Sequence, residues 1–303
     1  MQEILLRAGS FVAIILLGFI LRRMGVLKRE EAFPVLSAIV IKITLPCAII
    51  CSFAGREIDL SLLLLVLLGI GCGVVLILLG LVLNPKSAPS RRAFEVLNLP
   101  SYNIGNFTMP FAQSFLGPTG VIVTSLFDTG NAMITLGTAL GVAKSVKEGS
   151  GFSLGRVLRA LSKSVPFMTD IVMMVLCLLH LEPPTLVLSV AQTISGGNAF
   201  LAMLMIGVGF RLEADPSQFA RMARVVGIRY ATSVIFALVF YFCLPFALEV
   251  RQTLVLLVFS PPGSVVPAFT GELGEDVGLS AAINSVSILL SIATIVGLLT
   301  VML

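Results

Sequence analysis

Charge is what this chain has least of. Only 12% of its residues are Asp, Glu, Lys or Arg, about half the share of a soluble domain. The charges that exist cluster between long apolar runs, 57% of the residues are hydrophobic and the mean hydropathy is +1.06. That excludes an ordinary soluble domain and predicts a polytopic helical membrane protein. The short alternating strands of a transmembrane barrel are missing too. Histidine is reduced to one residue, His180, at an expected helix end where it reads as interfacial. The five cysteines (Cys47, Cys51, Cys72, Cys177, Cys243) all lie in apolar segments. Cys47 and Cys51 share a helix face, but no His or further Cys completes a metal set, so they read as small buried hydrophobes. No P-loop, zinc motif or nucleophile elbow occurs. No enzyme, no ATP motor, no metal and no cofactor are therefore expected. The net charge of +4 sits in short loops that set topology, which points away from nucleic acid.

What is there is a series of apolar runs near the roughly 20 residues a bilayer requires. Ten spans are predicted, near 4–22, 34–54, 60–83, 91–115, 118–142, 160–181, 184–210, 222–246, 250–272 and 277–302. The connections alternate in charge. Arg22, Arg23, Lys28 and Arg29 follow the first span, Lys86, Arg91 and Arg92 the third, and Lys144, Lys147, Arg156, Arg159 and Lys163 surround the fifth-to-sixth connection. Arg211, Arg221 and Arg224 against Glu213 and Asp215 mark the seventh-to-eighth connection. Between these lie neutral or acidic loops with Arg56, Glu57 and Asp59, with His180 and Glu182, and with Glu272, Glu275 and Asp276. Basic loops face the cytoplasm, which puts both termini outside. The first span is followed, not preceded, by its basic cluster, and no small-residue cleavage site follows, so it reads as a spanning helix rather than a signal peptide. The expected location is the plasma membrane or a bacterial inner membrane.

Two spans are interrupted at mid-length, and the interruptions occupy corresponding places in the two halves. The first is Pro100-Ser101-Tyr102-Asn103-Ile104-Gly105-Asn106-Phe107-Thr108-Met109-Pro110, and the second Phe259-Ser260-Pro261-Pro262-Gly263-Ser264-Val265-Val266-Pro267. Backbone released from a helix is costly in hydrocarbon unless it lines a cavity or is buried in protein. A matched pair of Gly/Pro-broken spans is the best pointer in a sequence to a transporter's substrate site.

The stretch 146–159, with Gly149-Ser150-Gly151, is the most linker-like in the chain. It divides a first five-helix repeat (1–145) from a second (160–303). Five is odd, so the halves enter the membrane in opposite senses and form an inverted repeat. Polar residues in the fifth and tenth spans agree with this. Thr124, Asp128, Asn131, Thr135 and Thr138 form one helical stripe. Ser280, Asn284, Ser287, Ser291 and Thr294 repeat its steps, each 156 residues later.

Asn103 and Asn106 flank Gly105 where the second half of the fourth span should begin. Helix N-terminal amides lack partners and carry partial positive charge, so an Asn there can cap the helix or present its amide to an anion. Ser264 is the candidate ligand donor in the second break, where no Asn stands; Pro261, Pro262 and Pro267 stop helix on either side of Gly263. The two broken spans would cross near the midplane. Asp128, about ten residues into its span, is a carboxylate at membrane depth and functional by default. It would carry a proton, hold a cation or pair with a base, with Asn131 one turn away. Lys42, four residues before Pro46, pairs with an acid, attracts the anion or snorkels to the cytoplasmic face. Glu95 is expected to pair with Arg91 or Arg92. Asp170 and Arg229 are read as interfacial or paired, and Ser195-Gly196-Gly197-Asn198 as a close packing point between helices.

The stretch Leu99 to Pro110, followed by Gly117, Gly120 and Phe127-Asp128-Thr129-Gly130-Asn131, resembles the auxin efflux carrier family of permeases, which includes the plant PIN-type exporters and many bacterial proteins. The likeness is most specific over about 92–141. It implies a ten-helix fold like that of the bile acid:sodium symporters, with helices four and nine broken and crossing at prolines. It implies a scaffold of about 1–55 and 160–210 and a transport domain of about 60–142 and 222–303 that moves as an elevator. By this resemblance Asn106 and Pro110 match the first crossover, Pro267 matches the second, the cargo is a small organic anion and the scaffold forms a homodimer. The large cytoplasmic loop of the plant exporters is absent, and the second break has no matching Asn.

The expectation is thus an all-α carrier of a small carboxylate in the lipid bilayer, working by alternating access. Its substrate site is Asn103, Asn106, Pro110, Ser264 and Pro267. Asp128, Asn131, Asn284 and Lys42 are candidates for ordering the site or coupling a proton or sodium. A sodium-coupled symporter is the alternative within carriers; a channel or a non-transporting receptor is the alternative of another class.

Overall fold

Apolar side chains dominate every long segment, and in hydrocarbon a backbone must satisfy its own hydrogen bonds; helix is the outcome. The computed structural model describes residues 2–56, 60–83, 85–149, 153–210 and 216–302, all of them in helices or the turns between, with no strand among them. Glu57 and Asp59, Ser150 and Gly151, and Arg211, Glu213 and Asp215 lie outside the described residues.

In chain order the helices are α1 (Gln2–Arg23), α2 (Arg29–Phe53), α3 (Ser61–Val82), α4 (Pro89–Asn98), α5 (104–116), α6 (117–148), α7 (Leu154–Ser162), α8 (Val165–Leu178), α9 (Thr185–Ser195), α10 (Asn198–Gly209), α11 (Phe219–Cys243), α12 (Leu248–Val258), α13 (Val266–Glu272) and α14 (Val277–Met302). Among the described residues five helices are long and apolar enough to cross a membrane, or up to seven if α7 with α8 and α9 with α10 each count as one bent span. These long apolar helices are the signature of a multi-pass membrane protein.

Several features depart from the expected spans. The stretch 160–181 is not straight: α7 and α8 meet at 81° around Ser164. The stretch 184–210 bends by 42° at Gly196 and Gly197. Within Ser195-Gly196-Gly197-Asn198 the two glycines make no close approach, because a Cβ on either would meet only ordinary contacts, whereas Asn198 is buried and packs against neighbouring helices. Helix also covers both ends of the expected linker, since α6 continues to Glu148 and α7 starts at Leu154. The cysteines divide as well. Cys72 and Cys177 are buried, Cys47 and Cys51 are half-buried and Cys243 is exposed.

Proline shapes the backbone near the middle of the molecule. Pro46 has no N–H for the carbonyl four residues back, and the chain widens to a π-helical turn over Val40–Thr44 just before it. Pro110 follows a second such turn, Ile104–Thr108. α5 gives way to α6 at Gly117, whose φ of 60° is open to glycine and sets the joint between them.

Close helix crossings hold the assembly together where small residues let backbones touch. A Cβ on Gly69 of α3 would collide with the Phe127 carbonyl of α6, and one on Gly130 with the Val66 carbonyl of α3. Gly18 of α1 and Gly207 of α10 make the same kind of approach. The core beside these crossings is aromatic and aliphatic, with Phe53, Phe94, Phe107, Phe111 and Phe127 fully buried.

Candidate functional site

Residues 99–103 and 259–265 are the non-helical stretches between α4 and α5 and between α12 and α13. They meet. The amide of Asn103 donates to the Pro261 carbonyl at 2.8 Å. The Gly263 amide donates to Ser101 Oγ at 3.2 Å, and the hydroxyls of Thr108 and Ser260 bond to each other. Asn106 Nδ2 reaches Ser264 Oγ at 3.4 Å. Backbone polar groups released by the two breaks are thus satisfied partly by each other.

Side chains from the long helices secure the rest. Asn131 of α6 engages one residue of the first break with both ends of its amide: Nδ2 donates to the Tyr102 carbonyl at 2.9 Å and Oδ1 accepts from the Tyr102 amide at 3.1 Å. The same Oδ1 accepts from Thr135 Oγ1 at 3.1 Å, and Nδ2 also donates to Asp128 Oδ1 at 2.7 Å. In the second break, Ser291 of α14 donates to the Phe259 carbonyl at 2.6 Å, and Ser233 of α11 to the Val258 carbonyl.

One side chain holds both breaks. Arg229 of α11 donates from Nη1 to the Leu99 carbonyl and from Nη2 to the Ser260 carbonyl at 3.1 Å. It is the one buried basic side chain among the described residues and forms no salt bridge there. This corrects the interfacial or acid-paired reading. Arg229 lies ten residues into α11, about 15 Å along the axis.

A cavity of about 160 Å³ opens beside the meeting point. Asn103, Asn106, Asp128, Asn131, Asp170 and Ser264 all line it. Asp170 is only 5% exposed, its Oδ1 has no hydrogen-bond partner, and it forms no salt bridge among the described residues, so it is buried rather than surface-paired. Asn106 Oδ1 is likewise buried and unpartnered. Gly105 of α5 lies beside this acidic wall, since a Cβ there would stand 3.6 Å from Asp128 Oδ2. Asn103 does not cap α5 with its side chain.

The other expected residues stand elsewhere. Pro110 is buried within α5 and Pro267 half-buried in the first turn of α13; both shape backbone and neither lines the cavity. Lys42 is exposed and does not line the cavity. Asn284 is half-buried with Oδ1 unpartnered and does not line the cavity. Glu95 pairs with Arg91 at 3.6 Å and also with Arg224 at 3.7 Å. A separate polar network, Thr44 to Asn198 at 2.9 Å and Asn198 to Gln113 at 3.2 Å, joins α2, α10 and α5.

Neither the protein-family models nor the curated proteins searched include a match to this chain.

Proposed function

We propose that this chain is a secondary transporter of a small organic anion, and that the cavity between the two breaks is its substrate site. One observation carries the reading: two mid-chain breaks, far apart in sequence, hydrogen-bond to each other around a small polar cavity inside an apolar helical protein. Irregular backbone of this kind is tolerated where it lines a binding cavity. The N-terminal amides of α5 and the Asn106 amide supply donors for a carboxylate, with Ser264 opposite. The Arg229 charge lies behind Tyr102, which also lines the cavity.

In this reading each bent or broken helix pair counts as one span, which makes ten, and the two sets of five are inverted with their breaks crossing. The support is local and specific. The carbonyls of Tyr102 and Phe259, 157 residues apart, each accept from a polar side chain of the long helix that follows their break. In the elevator reading, α1, α2 and α7 to α10 form the scaffold, while α3 to α6 and α11 to α14 carry the cargo. The likeness to auxin efflux carriers agrees with each of these points. The deciding assay is uptake or efflux of labelled mono- and dicarboxylates in proteoliposomes, wild type against Asn106→Ala; equal transport removes Asn106 from the site.

A cation-coupled version has its own observation. Asp128 and Asp170 line the same cavity, and anionic walls suit an anion carrier when a proton or sodium binds with the cargo. Transport that persists without sodium excludes obligatory sodium coupling. Large single-channel currents in a planar bilayer would replace the carrier reading with a channel.

A further inference from the structure

We propose that the groove along α8, together with the basic face of α7, is a binding site for an anionic phospholipid. α7 is short, amphipathic and turned 81° from α8. Its Val157 and Leu161 are buried, with Val157 against Gly137 of α6. Its other faces are exposed. Leu154 and Leu158 are 59% and 55% exposed, and Arg156, Arg159 and Lys163 follow at helical spacing as exposed bases. None of the three forms an ion pair among the described residues. A helix of this make-up lies in the interfacial plane of a bilayer.

Directly below it runs a cavity of about 420 Å³ whose walls are almost wholly apolar. Ser162, Lys163 and Ser164 form its polar end; Met168, Val172 and Leu176 of α8 continue it. From Val165 to Leu176 the groove follows eleven residues of α8, about 17 Å at the helical rise, and it reaches Pro183 and Pro184 at the turn into α9. It is long enough to take an acyl chain, and at its polar end stand three bases that form no ion pair among the described residues. Charge complementarity selects a phospholipid of net negative headgroup. The groove shares Ser164 with the cavity at the breaks and is otherwise lined by different residues of α8; lipid binding there does not depend on what is transported.

The test is native mass spectrometry of the full chain, released from detergent and titrated with phosphatidylglycerol or phosphatidylcholine of the same acyl chains. The wild type should retain phosphatidylglycerol preferentially. The R156Q/R159Q/K163Q variant should lose that preference, by about fivefold per base at low ionic strength. Met168→Trp with Val172→Trp, which fills the groove but keeps the charges, should also release the lipid. Equal retention of the two lipids by the wild type overturns the proposal, as does an unchanged preference in either variant. So does a Val172→Cys protein that crosslinks to a second copy as readily with saturating phosphatidylglycerol as without, because a partner subunit then fills the groove. If a variant fails to fold, the wild type decides alone: phosphatidylglycerol retention must fall with added salt while phosphatidylcholine retention does not.

Discussion

The guanidinium of Arg229 lies over the ring of Tyr102, 5.2 Å from its centroid, while its two terminal nitrogens reach the carbonyls of Leu99 and Ser260. A planar cation thus closes the gap between two stretches of unwound backbone. Lysine cannot reproduce this fork with one ammonium group. Arg229→Lys is expected to lose one carbonyl contact and the ring stacking, and Arg229→Met to lose all three. Hydrogen bonds to charged groups contribute about 1.5–3 kcal/mol each, and removal of the buried charge offsets part of that loss. Thermal unfolding in detergent should therefore rank wild type above Lys and Lys above Met. Transport should fall with both. A Met variant as stable and as active as wild type would remove Arg229 from the device.

Asn131 does for the first break what a neighbouring strand would do, donating to and accepting from the backbone of Tyr102. Asn131→Asp keeps the acceptor and loses the donor, and it sets a second carboxylate against Asp128, now 2.7 Å from Nδ2. Asn131→Ser merely shortens the side chain. Like charges at this separation are strongly unfavourable, so the Asp variant should be the more disrupted of the two. Hydrogen exchange over 100–108 is the measurement, with faster exchange expected in Asp than in Ser. The reverse order would mean that the amide clamp, not the charge clash, governs this segment.

The breaks themselves were legible because proline and glycine write backbone geometry directly into sequence. Pro110 removes an amide and the π-helical turn over Ile104–Thr108 precedes it; nothing tertiary is needed to expect a disturbance there. The stripe on α6 was legible for the same local reason, and the structure brings its Asn131 to the break. Asp170 and Arg229 were not legible. Their position relative to the ends of a straight span suggests an interface, but α8 starts anew after an 81° bend, and burial of Arg229 depends on two carbonyls 161 residues apart in sequence. A lone charge becomes informative only when the fold supplies its partners. Lys42 shows the converse, since its stem can place the ammonium at a distance from its backbone.

Gly69 and Gly71 of α3 offer a matched pair. A Cβ on Gly69 would meet the backbone of α6 at Phe127, whereas one on Gly71 would meet nothing within 4 Å. Overpacking a tight contact costs about 1–3 kcal/mol, and alanine in a helix interior gains up to about 1 kcal/mol over glycine. Gly69→Ala should therefore lower the unfolding temperature and Gly71→Ala should leave it equal or higher. A Gly69→Ala protein no less stable than Gly71→Ala would show that α3 and α6 can separate without loss.

Asp128 and Asp170 make distinct predictions although they share a cavity. Asp128 is tied to Asn131, which is tied in turn to Tyr102, so Asp128→Asn disturbs backbone as well as charge. Asp170 has one oxygen with no partner, and removing its charge breaks no hydrogen bond to that atom. If a proton or sodium binds with the cargo, Asp170→Asn should uncouple them: transport under a proton or sodium gradient should drop at least about tenfold, equivalent to roughly 1.4 kcal/mol, while exchange of cargo for cargo without a gradient continues. The assay compares gradient-driven uptake with counterflow in the same proteoliposomes. Loss of both in equal measure would make Asp170 part of the anion site rather than of the coupling, and retention of both would leave the carrier a uniporter in which this carboxylate only shapes the cavity.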